Sequence, residues 1–229
     1  MKYGESSFDI LYLVFAIISG LVILAKARSR TEKLMGAAAL ILGCGDAFHL
    51  VPRVLDYFTN LDLTAALGVG KLITSVTMTV FYVLVYYIWL GVYGLKEKKG
   101  ITAAVWILAV IRIALCMFPQ NGWLENSKDL TWGIIRNIPF ALLGALICLL
   151  YFKMRKNSKR FRAVWLYILF SFLFYLPVAV GAGAVPILGM LMLPKTVCYI
   201  LLIVVFLLAV CKDSATNPPL SVGKDKNIA

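Results

Sequence analysis

The sequence predicts an all-α fold: a polytopic membrane protein built as a seven-transmembrane-helix bundle, with its N-terminus outside and its C-terminus cytoplasmic. Three observations predict it. The 229-residue chain is 62% hydrophobic and has a mean hydropathy of +0.89, far beyond ordinary soluble domains. Apolar runs recur along it, each near the length that crosses roughly 30 Å of hydrocarbon. Lysine and arginine cluster in alternate loops, as the positive-inside rule requires of a chain that crosses repeatedly.

Taken in order, the first run is Ile10 to Ala25. It is too long for a signal-peptide core and lacks a small-residue cleavage site, so it is read as a helix of the mature protein. The second run is Leu34 to Leu55, the third Leu67 to Leu95, the fourth Ile101 to Phe118 and the fifth Thr131 to Phe152. The sixth, Ala163 to Val185, meets the seventh, Ile187 to Cys211, at a short apolar turn. Its Gly181, Gly183 and Gly189 predict a hairpin of buried packing. Residues 1–211 thus form a single transmembrane domain, and 212–229 a polar, disordered cytoplasmic tail.

The first, third and fifth loops carry Lys26, Arg28, Arg30 and Lys33, then Lys96, Lys98 and Lys99, then Lys153, Arg155, Lys156, Lys159, Arg160 and Arg162. Those loops are predicted cytoplasmic, and the acids Glu5, Asp9, Asp56, Asp62, Glu125 and Asp129 fall on the other side. The clusters account for most of the net charge of +12 and attract anionic lipid headgroups. A nucleic-acid partner is not implied.

Residues 45–53, GDAFHLVPR, place an aspartate, the chain's only histidine and an arginine in an otherwise apolar run. Asp46, His49 and Arg53 stand at i, i+3 and i+7, on one helical face. Ionisable groups are costly in a bilayer, so that face is expected to look into the protein. Four other bases occupy the outer half of other helices: Lys71, Arg112, Arg136 and Lys195. Asp46 is the only acid within an apolar run, and it cannot neutralise all five. They either reach the outer headgroups or line a cavity that receives an anion.

On the third helix Lys71, Ser75, Thr79, Tyr82 and Tyr86 recur at steps of three and four, a polar stripe running inward from the outer surface. Back-bonding of the hydroxyls to their own helix is the alternative to a cavity lining. Pro52, Pro139 and Pro177 fall in the outer halves of their helices, where each removes a backbone donor and favours a bend. The bends would splay the bundle on that side.

One histidine and scattered cysteines (Cys44, Cys116, Cys148, Cys198, Cys211) predict no metal site and no disulfide framework. No Walker loop, dinucleotide fingerprint or nucleophile elbow is present, and no cofactor is implied. A retinal Schiff base on Lys195 would need an acidic counter-ion pattern that the third helix lacks. Asp46 and His49 are left with acid/base work on water, or with an ion-paired packing role against Arg53, Lys71 or Arg112.

The segments LGCGDAFHLVPR and GVGKLITSVTMTVFYVL resemble the GD-containing helix and its successor in the YhhN-like lysoplasmalogenase family of membrane proteins. The resemblance implies hydrolysis of the vinyl-ether bond of lysoplasmalogens, with Asp46 as one of two essential carboxylates. The second would fall near Ser171 and Phe172, and the sixth helix contains no acid. The family histidine is Val76 here. The FH pair, Phe48 and His49, more faintly resembles seven-helix metal-dependent hydrolases of the ceramidase and progestin-receptor group. The last helix offers Lys195 and Tyr199 where those enzymes carry histidines.

Two functions therefore stand side by side. In one, a lipid-acting intramembrane hydrolase, Asp46 and His49 are catalytic, and Arg53, Lys71, Ser75, Tyr82, Arg112, Arg136 and Lys195 bind a lysophospholipid. In the other, the same basic, outward-opening pocket belongs to a transporter or receptor-like binder of a small anion or lipid headgroup. The expected partners are membrane lipid and an anionic small molecule or lysolipid headgroup. The expected location is the plasma membrane of a bacterium. Small residues at Gly36 to Ala39 permit close helix packing but leave the oligomeric state open.

Overall fold

The computed structural model describes residues 2–126, 129–181 and 185–216. Among these there is no strand; the chain is helical throughout. The helices are α1 (Lys2–Lys26), α2 (Arg30–Phe58), α3 (Thr64–Tyr93), α4 (Lys99–Met117), α5 (Leu130–Met154), α6 (Val164–Gly181) and α7 (Met192–Thr216), with 3-10 turns at Pro119–Asn121 and Pro186–Leu191. Six of the spans are long and apolar enough to cross a membrane, the pattern of an integral membrane protein. The seventh, α6, is shorter: its helix ends at Gly181, four residues after Pro177.

Local chemistry sets several boundaries. The Ser29 hydroxyl accepts from Glu32 N, and the Glu32 carboxylate accepts from Ser29 N, a reciprocal cap that satisfies two donors at the start of α2. Asp129 caps α5 by accepting from Thr131 N and Trp132 N. At the end of α4, Asn121 Nδ2 donates to the carbonyls of Leu115 and Phe118 at 2.9 Å. Trp123 Nε1 donates to that of Cys116 at 2.8 Å. These bonds satisfy carbonyls that the helix cannot pair internally. α1 begins at Lys2, well before its apolar run, with Glu5 in its first turn, where the helix dipole favours an acid. α7 continues to Thr216; the tail expected from 212 lies, from 217 on, outside the described residues.

α3 is the hub, packed against α2, α4 and α5, while α1 closes against α2 and α7. A methyl at Gly45 would collide with the Thr77 side chain, and one at Gly70 with the Phe48 carbonyl. These two glycines therefore let α2 and α3 approach closely. Ala38 and Ala39 are wholly buried within the chain, and Gly36 faces Leu24 of α1, so the small-residue segment packs on its own neighbour helix. Trp89 Nε1 donates to the Leu150 carbonyl and Tyr151 Oη to that of Val85, both at 3.1 Å. These bonds tie α3 to α5 at the lysine-rich end. Outside, Leu11, Val14, Ile18 and Leu21 make an exposed apolar stripe on α1, as a lipid-facing surface requires. In its described part, 185–191, the α6–α7 connection departs from the expected buried hairpin, while Gly183 lies outside the described residues. Val185, Ile187 and Met190 are exposed and a Cβ at Gly189 would meet open space, because the chain turns there through a 3-10 segment on the bundle's rim.

Candidate functional site

At the end of the bundle where α2 passes into α3 lies a cavity of about 920 Å³. Of the residues the sequence selects, it brings together Asp46, His49 and Arg53 of α2, Lys71 and Ser75 of α3, Arg112 of α4, Arg136 of α5 and Lys195 of α7. It does not include Tyr82. That ring is wholly buried, 3.2 Å from the Ser171 hydroxyl and edge-on to Phe140. It belongs to the aromatic layer beneath the cavity rather than to its lining, which corrects its assignment as a binding residue. The lower part of the polar stripe shares this fate, since Tyr86 Oη bonds to Thr102 of α4 at 2.7 Å.

The hydroxyls of the stripe bond back to their own helix. Ser75 Oγ donates to the Lys71 carbonyl and Thr79 Oγ1 to that of Ser75, both at 2.8 Å. Pro52, Pro139 and Pro177 each immediately precede a cavity-lining residue, namely Arg53, Phe140 and Val178. The helices continue through all three prolines.

Asp46 is not the lone acid of this region. Glu5 and Asp9 of α1 and Asp129 also line the cavity. The physical reason is the early start of α1: Glu5, Asp9 and Tyr12 share one helical face and turn it toward α2. Arg53 forms an ion pair with Glu5, which also accepts from Tyr57 Oη at 3.2 Å. Tyr12 Oη donates to Asp46 Oδ2 at 2.7 Å, so Asp46 is held by a tyrosine and not by Arg53, Lys71 or Arg112. Lys195 is the opposite charge that acts on it. The Lys195 ammonium lies over the Tyr175 and Tyr199 rings at 4.7 and 5.4 Å.

On the far side the arginines are interlocked. Arg112, 2% exposed, donates to the Arg136 carbonyl, and its guanidinium sits 5.1 Å from the Phe140 centroid. Arg136 stacks 4.4 Å over Trp123 and donates to Asn121 Oδ1 at 2.7 Å. Lys71 Nζ donates to Asn126 Oδ1 at 2.6 Å. Asn126 has a left-handed φ of 50°, a conformation that asparagine tolerates. Two bases, Arg136 and Lys71, are thus anchored to the α4–α5 connection, a segment in which the sequence reading found no function. Its signal was present: Asn121 and Trp123 are polar or amphipathic groups just past an apolar helix end.

The Nδ1 of His49 is buried without a partner. Two further buried atoms of cavity-lining residues also lack partners, Asp9 Oδ2 and Arg112 Nε. Among the described residues no three His, Cys, Asp or Glu side chains converge closely enough to hold a metal ion. The chain matches no protein-family model, no curated protein and no solved structure.

Proposed function

We propose that this membrane protein binds the phosphate-bearing headgroup of a single-chain lipid in the cavity at the end of the bundle where α2 passes into α3. The observation that carries this reading is that five bases from five helices, Arg53, Lys71, Arg112, Arg136 and Lys195, all line one cavity. Separate contacts with headgroups would have left them dispersed around the rim. The wall is also amphipathic, with Leu50, Met78, Phe140 and Leu193 beside the charges, which suits an amphiphile better than a bare ion. In this reading the chain spans the plasma membrane seven times with its N-terminus outside, α6 crossing despite its shorter length. The cavity then opens to the outer leaflet.

The test is stabilisation of the purified chain in detergent by lysophospholipid, with monoacylglycerol of the same chain length as control. The lysophospholipid raises the apparent Tm and the control does not. Replacing both Arg112 and Arg136 by Gln removes the increment. An increment unchanged in that variant would exclude the reading.

A second reading, hydrolysis, is favoured by a specific observation: Asp9 supplies the cavity with a buried carboxylate besides Asp46. It accords with the resemblance to YhhN-like lysoplasmalogenases. Water would add across the vinyl ether, and the hemiacetal would part into a fatty aldehyde and a glycerophospho-alcohol, with Asp46, His49 and Asp9 positioned for proton transfer. Aldehyde release from a lysoplasmalogen that disappears in Asp46→Asn supports it. No release from any lysolipid of a panel leaves the binder alone.

A further inference from the structure

The charges of the cavity are sorted rather than mixed. α1 packs against α2 and α7, whereas α5 packs against α3, α4 and α6, so Asp9 and Arg136 approach the cavity from helices on different sides. The charged groups acting on Asp9 are Arg53, Glu5 and Asp46. Those acting on Arg136 include Arg112 and Asp129. One wall is therefore acidic, Glu5, Asp9 and Asp46, relieved by Arg53 beside Glu5 and by Lys195 acting on Asp46. The other is basic, Lys71, Arg112 and Arg136, with Asp129 occupied in capping α5.

Each wall ends in a charged group with an unspent hydrogen-bonding atom. Asp9 is 5% exposed and its Oδ2 has no partner; Arg112 is 2% exposed and its Nε has none. A buried charged group left unpaired is costly, and a ligand that pairs it recovers that cost. An anion alone would answer Arg112 and leave Asp9 facing a like charge. A metal ion is a poor match for the acidic wall, where no three ligands converge among the described residues. An ammonium group needs only one or two acceptors, and Tyr57 beside Glu5 adds an aromatic surface for it.

We propose that the cavity recognises a zwitterion, a phosphate with an ammonium group a few bonds away: the phosphate against Arg112, Arg136 and Lys71, the ammonium against Asp9 and Glu5. This rests on the reading of the cavity as a phosphate-headgroup site and adds the second half of the ligand. Arginine forks match the oxygens of a phosphate. The acidic wall then discriminates against headgroups that carry phosphate alone, because these leave the Asp9 charge uncompensated.

The experiment is calorimetric titration of the full chain in detergent with four probes: lysophosphatidylethanolamine, lysophosphatidic acid of the same acyl chain, phosphoethanolamine and inorganic phosphate. Lysophosphatidylethanolamine is expected to bind about tenfold more tightly than lysophosphatidic acid, the factor one charge-assisted hydrogen bond supplies. Asp9→Asn abolishes that preference by weakening the zwitterion alone, and Arg112→Gln weakens both lipids. Glu5→Gln, at a half-buried position, is the second variant should Asp9→Asn fail to fold; it is expected to narrow the same preference. Comparable binding of phosphoethanolamine supports the same chemistry from a soluble source. Equal affinity for the two lysolipids, or an equal loss for both in Asp9→Asn, overturns the zwitterion while leaving phosphate binding intact. Absence of binding by every probe removes the underlying reading as well.

Discussion

The Tyr12 hydroxyl on α1 donates to Asp46 Oδ2 on α2 at 2.7 Å, so the acid of the GDAFHLVPR segment is held by a helix far earlier in the chain. Tyr12 is 1% exposed, while Asp46 is half-buried and lines the cavity.

Tyr12→Phe removes the hydroxyl's bond to this half-buried carboxylate, at a cost of about 1–3 kcal/mol. Reversible unfolding in mixed micelles measures it. Asp46→Asn in the Tyr12→Phe background is expected to cost less than in wild type, since the partner is already gone. Additive costs would mean that the bond contributes nothing.

Gly45 and Gly70 make a paired prediction about the α2–α3 contact. Gly45→Ala strikes the branched Thr77 side chain, its Cβ included, while Gly70→Ala strikes the backbone carbonyl of Phe48. Both destabilise, by about 1–3 kcal/mol as overpacking usually does. Thr77→Ala relieves Gly45→Ala only in part, because the Thr77 Cβ that alanine keeps lies 2.6 Å from the added methyl, and no side-chain change relieves Gly70→Ala. Melting temperatures of the single and double variants decide it.

Tyr82→Phe is the control for the cavity. It loses the contact with Ser171 and is expected to cost about 0.5–1.5 kcal/mol of stability with lysolipid affinity unchanged. A change in affinity as large as that of Arg112→Gln would return Tyr82 to the binding residues.

In the loop between α2 and α3, hydrogen bonds from Thr64, including its backbone N–H at 3.1 Å, hold the Asp62 carboxyl below its ordinary value of 3.8. A depressed value in the folded chain means that the ionised form is favoured there. Its contribution is present above the ordinary value and is lost as pH falls through the lower one. Carboxyl-carbon NMR should give Asp62 a titration midpoint below 3.8. Thr64→Ala should move it back toward 3.8.

The convergence of Arg53, Lys71, Arg112, Arg136 and Lys195 was legible in the sequence because helical spacing and topology together fix both face and depth. Glu5 and Asp9 were not, because an apolar run marks where a helix meets lipid and not where it begins. Their spacing with Tyr12, steps of four and three, was the signal available. Tyr82 was misplaced for the complementary reason. It shares a face with Lys71, but eleven residues further along it lies about 16 Å deeper, below the layer where the Phe140 ring closes the floor at 5.4 Å from its own. Spacing gives direction around a helix; where a cavity stops depends on side chains from other helices.

The early start of α1 bears on how the protein is produced. A deletion to Ile10, the first residue of the apolar run, keeps a segment that still inserts, yet strips Arg53 of its counter-charge and takes Glu5 and Asp9 from the acidic wall. Such a chain would reach the membrane, survive purification and answer no zwitterion. Fusions and affinity tags belong on the opposite terminus, where α7 runs away from the cavity.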